Sequence, residues 1–454
     1  MLHARSALLP GGWASDVRIA VDPAGGIASV TPGARAEPGD EVIEGFLVPG
    51  MPNLHSHAFQ RAMAGLTEAR TRDSDSFWTW RELMYRFASR ITPQQVADIA
   101  GWLYVEMLKA GYTSVAEFHY LHHDVDGRPF DDRAEMSHRI VAAAHSAGLA
   151  LTLLPVLYQH GGFGGKPPLP GQARFIHATE DFDSLIEGLR ARYGTTPGVR
   201  IGAAFHSLRA VDPGAMREVL GAMGGDDFPL HIHVAEQRQE VDECVGWCGR
   251  RPVQWLLENV HPDARWCLVH ATHLDAGEVA GLAASGAVAG LCPSTEANLG
   301  DGIFPAAEYL CDEGRLGIGS DSHVQVSVAG ELRLLEYGQR LLHRRRSVLA
   351  SADHRSPGEH LYVKAAAGGA QALGLEAGRI ATGLRADLVV LDAEHPSLWN
   401  KAPAQALDAW IFAGDASCVR DVMAGGAWCI RARRHPREDE LARRYRAAQA
   451  ALLR

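Results

Sequence analysis

An alternation limits what this chain can fold into more than any other feature. From residue 47 onward, short apolar runs bounded by turn residues alternate with stretches of helical character. The runs cover 46–55, 112–120, 149–158, 199–206, 229–236, 265–270, 287–292 and 315–321. Runs such as LALTLLPVLY and RWCLVH are continuously apolar, the signature of strands buried on both faces. The segments between them carry helix signals. In TPQQVADIAGWLYVEMLKAG, Thr92 can cap, Pro93 suits the first turn and Gly111 suits the stop. Eight strands with helices between them predict an α/β fold, a TIM-like (β/α)8 barrel over 47–378.

The two ends read differently. Residues 1–46 are rich in Gly, Pro and Val, with alternating pieces such as DVRIAVD, and 379–431 reads as short strands joined by turns. Together they predict a small β-sandwich domain built from both termini beside the barrel. Residues 432–454, with Leu441, Tyr445 and Leu452 on one stripe, predict a C-terminal helix at the surface. The long Gly/Pro segment QHGGFGGKPPLPGQARF, 159–175, follows the third strand and could overhang the barrel mouth.

Composition narrows the function classes. A formal net charge of −10 argues against general nucleic-acid affinity. No apolar stretch reaches the roughly 20 residues of a membrane helix, and the first residues lack a signal-peptide pattern. Seven cysteines show no C-x-x-C and no paired framework, so a reducing cytoplasm is expected.

The barrel reading gives the histidines a meaning. His55 and His57 lie two apart at the end of the first strand, so their side chains face one way and can reach one ion together. HIHVAE ends the fifth strand with His231, His233 and Glu236. LVHATH ends the sixth with His270 and His273, and GIGSDSH ends the eighth with Asp321 and His323. All lie at the carboxyl ends of strands, the face on which barrel active sites are built. Three neutral imidazoles, a carboxylate and a water suit a divalent ion such as Zn2+.

PGMPNLHSH, HIHVAE, LVHATH, GIGSDSH and the late GLRADLVVLD resemble, in this order and across nearly the whole chain, the amidohydrolase superfamily. The resemblance implies a barrel flanked by a β-sandwich, with His55, His57, His233 and Asp321 as metal ligands. It implies that His270 orients the attacking water, that Glu236 shuttles protons, and that Asp321 accepts the water's proton while ligating. His231, His273 and His323 receive no role from it. Two-metal members bridge their ions with a lysine at the end of strand four. This chain has only Lys109, Lys166, Lys364 and Lys401, and none ends a predicted strand. One Zn2+ per subunit is therefore expected, as in the deaminating branch.

NLHSHAFQRAMAGLTE, FWTWRELMYRF, VAEFHYLHH and AAFHSLRAV are similar to the formimidoylglutamate deiminases of that branch, enzymes of histidine degradation. The implied reaction turns N-formimidoyl-L-glutamate and water into N-formyl-L-glutamate and ammonia. The resemblance marks Gln60, Arg81, Tyr120, His206 and Arg209 as substrate contacts. The chemistry agrees, because a substrate with two carboxylates calls for fork-shaped cations. Trp78 and Trp80 are expected to pack the insertion after strand one. A homodimer is expected, with no nucleic-acid or membrane partner. The alternatives are a deaminase of the same branch acting on a guanine, adenosine-derivative or pterin substrate, and, less favoured, a scaffold that has lost catalysis.

Overall fold

The computed structural model describes residues 1–69, 77–223 and 227–454. Its centre is a parallel barrel of eight strands: Met51–Ser56, Tyr112–His119, Ala150–Leu157, Ala203–Ser207, Leu230–Val234, Trp266–His270, Val288–Leu291 and Arg315–Ile318. They are numbered one to eight below. Each pairs with the next in parallel register, and the short strand Val199–Ile201 adds to strand three. Six of the eight are buried along their whole length, which is why they read as apolar runs. Strands eight and one are joined by backbone hydrogen bonds at the site itself. Asp321 N–H donates to His55 O at 3.0 Å and His57 N–H donates to Asp321 O at 3.1 Å.

The helix after strand one begins as the sequence predicts. Thr92 accepts from the Gln95 N–H, Gln95 reaches back to the Thr92 N–H, and Pro93 opens the helix Pro93–Lys109. Gly111 follows its end with φ +96°, a conformation that costs glycine little.

Both ends of the chain share one seven-stranded sheet. Its order is Ala427–Ile430, Val419–Ala424, Leu388–Leu391, Glu41–Pro49, Leu2–Leu9, Gly12–Val21 and Ile27–Thr31. Neighbours are antiparallel except Leu2–Leu9 beside Glu41–Pro49. The sheet has its own core, with Val17, Ile19, Ile43, Leu47, Leu388 and Val390 among its members.

Three details differ from the sequence reading. The run 46–55 is two strands, because residues up to Pro49 pair in the terminal sheet and the barrel begins at Met51. Gly50 is the break: a Cβ there would lie 2.3 Å from the Thr113 side chain. Residues 379–431 hold a helix, Pro403–Ala413, besides their strands. It buries Ala406, Leu407, Trp410 and Ile411 at helical spacing, a 3.6-residue pattern hidden among turn signals. The terminal helix Glu438–Leu452 buries Leu441 and Leu452. It is tied to helix Pro93–Lys109 by Lys109–Glu438 at 2.6 Å and a Trp102–Tyr445 ring stack.

Candidate metal centre and substrate cavity

The strand ends carry unusual backbone. Ala235, His270, Ala271, Asp321 and His323 all have positive φ, between 45° and 68°. None is glycine, so each costs of order 1 kcal/mol or more and is held by its surroundings. These turns after strands five, six and eight aim side chains at one point above the barrel.

At that point His55 Nε2 lies 3.2 Å from His57 Nε2 and 3.0 Å from His233 Nε2. Asp321 Oδ1 is 3.5 Å from His55 Nε2 and 3.3 Å from His57 Nε2. His57 Nδ1 donates to Phe118 O at 2.9 Å and His233 Nδ1 donates to His206 O at 3.0 Å. A carbonyl only accepts, so both Nε2 atoms present lone pairs. Burial pushes all three imidazoles down, His55 to about 3, so they are neutral. Burial opposes the charge of Asp321, but the pull of His55 first, then of His57 and His270, outweighs it and holds the carboxyl below its usual range. Lone pairs crowded at 3 Å repel unless a cation sits among them. His55, His57 and His233, and likewise His55, His270 and Asp321, are grouped closely enough to hold a divalent ion. None of the four lysines lines the cavity.

His270 and Glu236 flank this group. His270 Nε2 is 3.8 Å from Glu236 Oε1 and 3.8 Å from Asp321 Oδ2. Its Nδ1 faces Glu296 Oε1 at 3.3 Å. Burial opposes charge on His270, yet the carboxylates of Glu236, Glu296 and Asp321 raise it to about 10, and its Nδ1 donates to Glu296. Burial, with Asp321 and Glu240 adding, raises Glu236 to about 7 against the pull of His270 and Arg209. That carboxyl can hold or release a proton near neutrality. Glu240 accepts the N–H groups of Ala235 and Glu236 at 3.2 Å each, which fixes the turn.

The predicted substrate residues line the same cavity: Gln60, Arg81, Tyr120, His206 and Arg209, beside His57, His233, Glu236, His270 and Asp321. His55 lies behind His57, fully buried. Gln60 Nε2 donates to Tyr120 Oη at 2.8 Å, and its Oε1 is buried without a partner. Arg209 is buried and its Nε has no acceptor. Trp80 lines the cavity rather than only packing the insertion. Trp78 lies under both guanidiniums, with centroid distances of 4.4 Å to Arg81 and 5.5 Å to Arg209. Helix Phe77–Ala88 thus brings Arg81 to the mouth, and Phe175, from the end of the Gly/Pro segment, forms part of the wall.

The histidines without an assigned role are also placed. His231 shares the face of His233, one layer deeper, where its Nε2 donates to Ala372 O at 2.8 Å. His273 Nε2 is buried without a partner. His323 bonds Ser56 Oγ at 3.1 Å and Ser320 Oγ at 3.0 Å. Ser320 in turn accepts from Asn53 Nδ2 at 2.6 Å, and Ser56 Oγ donates to Glu117 Oε2 at 2.6 Å. Glu117 also accepts from Ala58 N–H and Tyr104 Oη. This buried chain supports the backbone of the H-x-H pair.

Sequence reading missed Glu117, Glu240 and Glu296. Glu117 did carry a signal, a charge inside the otherwise apolar strand two. Glu296 lies in the first turn of helix Pro293–Leu299, directly after strand seven. That position on the catalytic face could have marked it.

Residues 46–429 match the amidohydrolase family, and residues 1–43 match the N-terminal domain of formimidoylglutamate deiminase HutF. The chain is 57% identical over 444 residues to a formimidoylglutamate deiminase of Pseudomonas aeruginosa, covering 98% of this chain and 97% of that one. A 5-methylthioadenosine/S-adenosylhomocysteine deaminase of Natronomonas pharaonis is 28% identical, covering 86% and 83%. The crystal structure of an amidohydrolase from Brucella melitensis superposes with a TM-score of 0.95 at 49% identity, covering 100% and 99%. This chain belongs to the amidohydrolase family, in the group that holds the formimidoylglutamate deiminases.

Proposed function

We propose that this chain hydrolyses N-formimidoyl-L-glutamate to N-formyl-L-glutamate and ammonia, a step of histidine degradation. One observation carries the reading. Two guanidiniums, Arg81 and Arg209, stand in the cavity that holds the histidine–aspartate cluster and Glu236, and the Arg209 Nε is buried without an acceptor. A buried guanidinium donor without an acceptor is costly unless an anion completes it. A linear dianion with an amidine head meets both ends of this cavity, and the close Pseudomonas relative bears the name of the enzyme for that substrate.

His55, His57, His233 and Asp321 would hold one Zn2+, which lowers the pKa of a water and makes hydroxide available at neutral pH. Glu236 accepts a proton and delivers it to the amidine nitrogen that departs as ammonia. His270, charged and held by Glu296, stabilises negative charge that develops beside Asp321. Tyr120, Gln60 and His206 line the path between the head and the arginines. The C–N bond to the terminal nitrogen breaks, one C–O bond forms, and the α-nitrogen stays on the glutamate.

No helix among the described residues is long and apolar enough to cross a membrane. All seven cysteines are free, which supports the cytoplasm as the site of action.

The test is ammonia release by metal-replete protein across a substrate panel. Release from N-formimidoyl-L-glutamate, with none from methylthioadenosine, guanine or pterins, is the expected result. Release from one of those rings and not from the dianion would overturn the reading.

A further inference from the structure

Gln172 lies in the short helix Pro170–Phe175 at the end of the Gly/Pro segment and is fully buried. Its amide has one permitted orientation, because the Leu169 N–H donates to Oε1 at 2.6 Å. The NH2 group therefore points the other way, to Tyr158 Oη at 2.6 Å and Tyr85 Oη at 3.1 Å. Tyr158 directly follows strand three, and Tyr85 belongs to the helix that carries Arg81. Both tyrosines line the cavity with Arg81 and Arg209. The Arg81 guanidinium lies 5.6 Å from the Tyr85 ring centroid, and the Tyr158 ring lies 4.3 Å from that of His206.

A hydroxyl has one hydrogen to give. Where an amide N–H already fills a lone pair, the hydroxyl hydrogen is turned toward another acceptor. Burial first, then Tyr85, pushes Tyr158 well above its usual range, so its proton stays on. The two hydroxyls neighbour one another, and a substrate carboxylate would be the stronger acceptor for both hydrogens.

We propose that Tyr85 and Tyr158 are a pair of substrate-binding donors that complete the carboxylate subsite of Arg81 and Arg209, and that Gln172 is the positioning residue that sets their polarity. This assignment rests on the dianionic substrate proposed above. It also gives the Gly/Pro segment a part in recognition, because its one fully buried amide latches the wall from strand three to the helix bearing Arg81.

The experiment is steady-state ammonia release from N-formimidoyl-L-glutamate by the metal-loaded enzyme, for Tyr85→Phe, Tyr158→Phe, the double variant and Gln172→Glu. A hydrogen bond to a charged group is worth about tenfold in affinity. Each Phe variant should raise KM about 3- to 10-fold and the double variant about 10- to 50-fold, with kcat within threefold; the double variant also strands the buried Gln172 NH2 and should melt at a lower temperature. Gln172→Glu keeps the shape but accepts from the hydroxyls, so KM should rise about tenfold or more. In the double-Phe background that effect should shrink to about threefold or less, since no hydroxyl remains to be reversed. An equal Gln172→Glu effect in both backgrounds overturns the positioning role. A double-Phe KM within twofold of wild type overturns the subsite. If the double variant does not fold, half-buried Tyr85→Phe alone decides by the same threshold. A wild-type enzyme that releases no ammonia from this substrate overturns both this proposal and the reading beneath it.

Discussion

The floor of the cavity and its wall are built on different plans. The floor is made at the ends of strands one, five, six and eight, over a chain of linked polar groups: Asn53, Ser320, His323, Ser56 and Glu117 run beneath the histidines, with His55 Nδ1 left without a partner. The wall is assembled from a helix, a loop and two strand exits, Phe77–Ala88, 159–175, Tyr120 and Arg209, and keeps unfilled atoms such as Arg209 Nε and Gln60 Oε1. A floor that activates water must be rigid before substrate arrives. A wall that recognises substrate leaves its hydrogen-bonding atoms for the substrate. The two regions should therefore fail in different kinetic constants.

Glu236→Gln carries the largest expected effect. It removes the proposed proton shuttle and leaves the proposed ligands, so kcat should fall at least about 100-fold while metal content stays at wild-type level. Near-normal turnover would show that the floor's chemistry runs without this carboxylate. Arg209→Met acts on the wall. It should raise KM about 10- to 100-fold, the worth of a charged hydrogen bond or two, with kcat within a few-fold. Loss of metal in this variant would break the separation between floor and wall. Glu117→Ala strands the Ser56 hydroxyl, the Ala58 N–H and the Tyr104 hydroxyl. It should cost about 2–3 kcal/mol of stability in denaturant melts, and KM should stay near wild type. Arg444→Ala, outside both regions, removes a partly exposed ion pair with Asp98 and should change stability by less than about 1 kcal/mol. A larger loss would mean that the terminal helix supports the floor through the Tyr445 hydroxyl and Gln449, which donate to Arg61 O and Ala62 O.

The contrast also explains what could be read from sequence. Strand parity and strand-end position made it legible that histidines and carboxylates gather on one face, while the choice of His55, His57, His233 and Asp321 over neighbours such as His231 came from the family resemblance. The barrel was legible because its strands are buried on both faces and read as apolar runs. Gln172, Tyr85 and Tyr158 were not, because their meeting depends on how a loop and a helix from distant parts of the chain dock. Glu240 and Glu296 act through backbone N–H groups and an imidazole nitrogen, contacts that leave no spacing pattern. Helix Pro403–Ala413 was hidden because an 11-residue helix between strands is short beside its turns.

The central claim is that four side chains hold one ion and that this ion makes the chemistry possible. Metal content per chain, measured beside ammonia release while a chelator strips the protein and added Zn2+ restores it, tests this most directly. Activity should follow one equivalent per chain, and His55→Ala with Asp321→Asn should bind none. Full activity in metal-free protein, or an undiminished equivalent in that double variant, would contradict it.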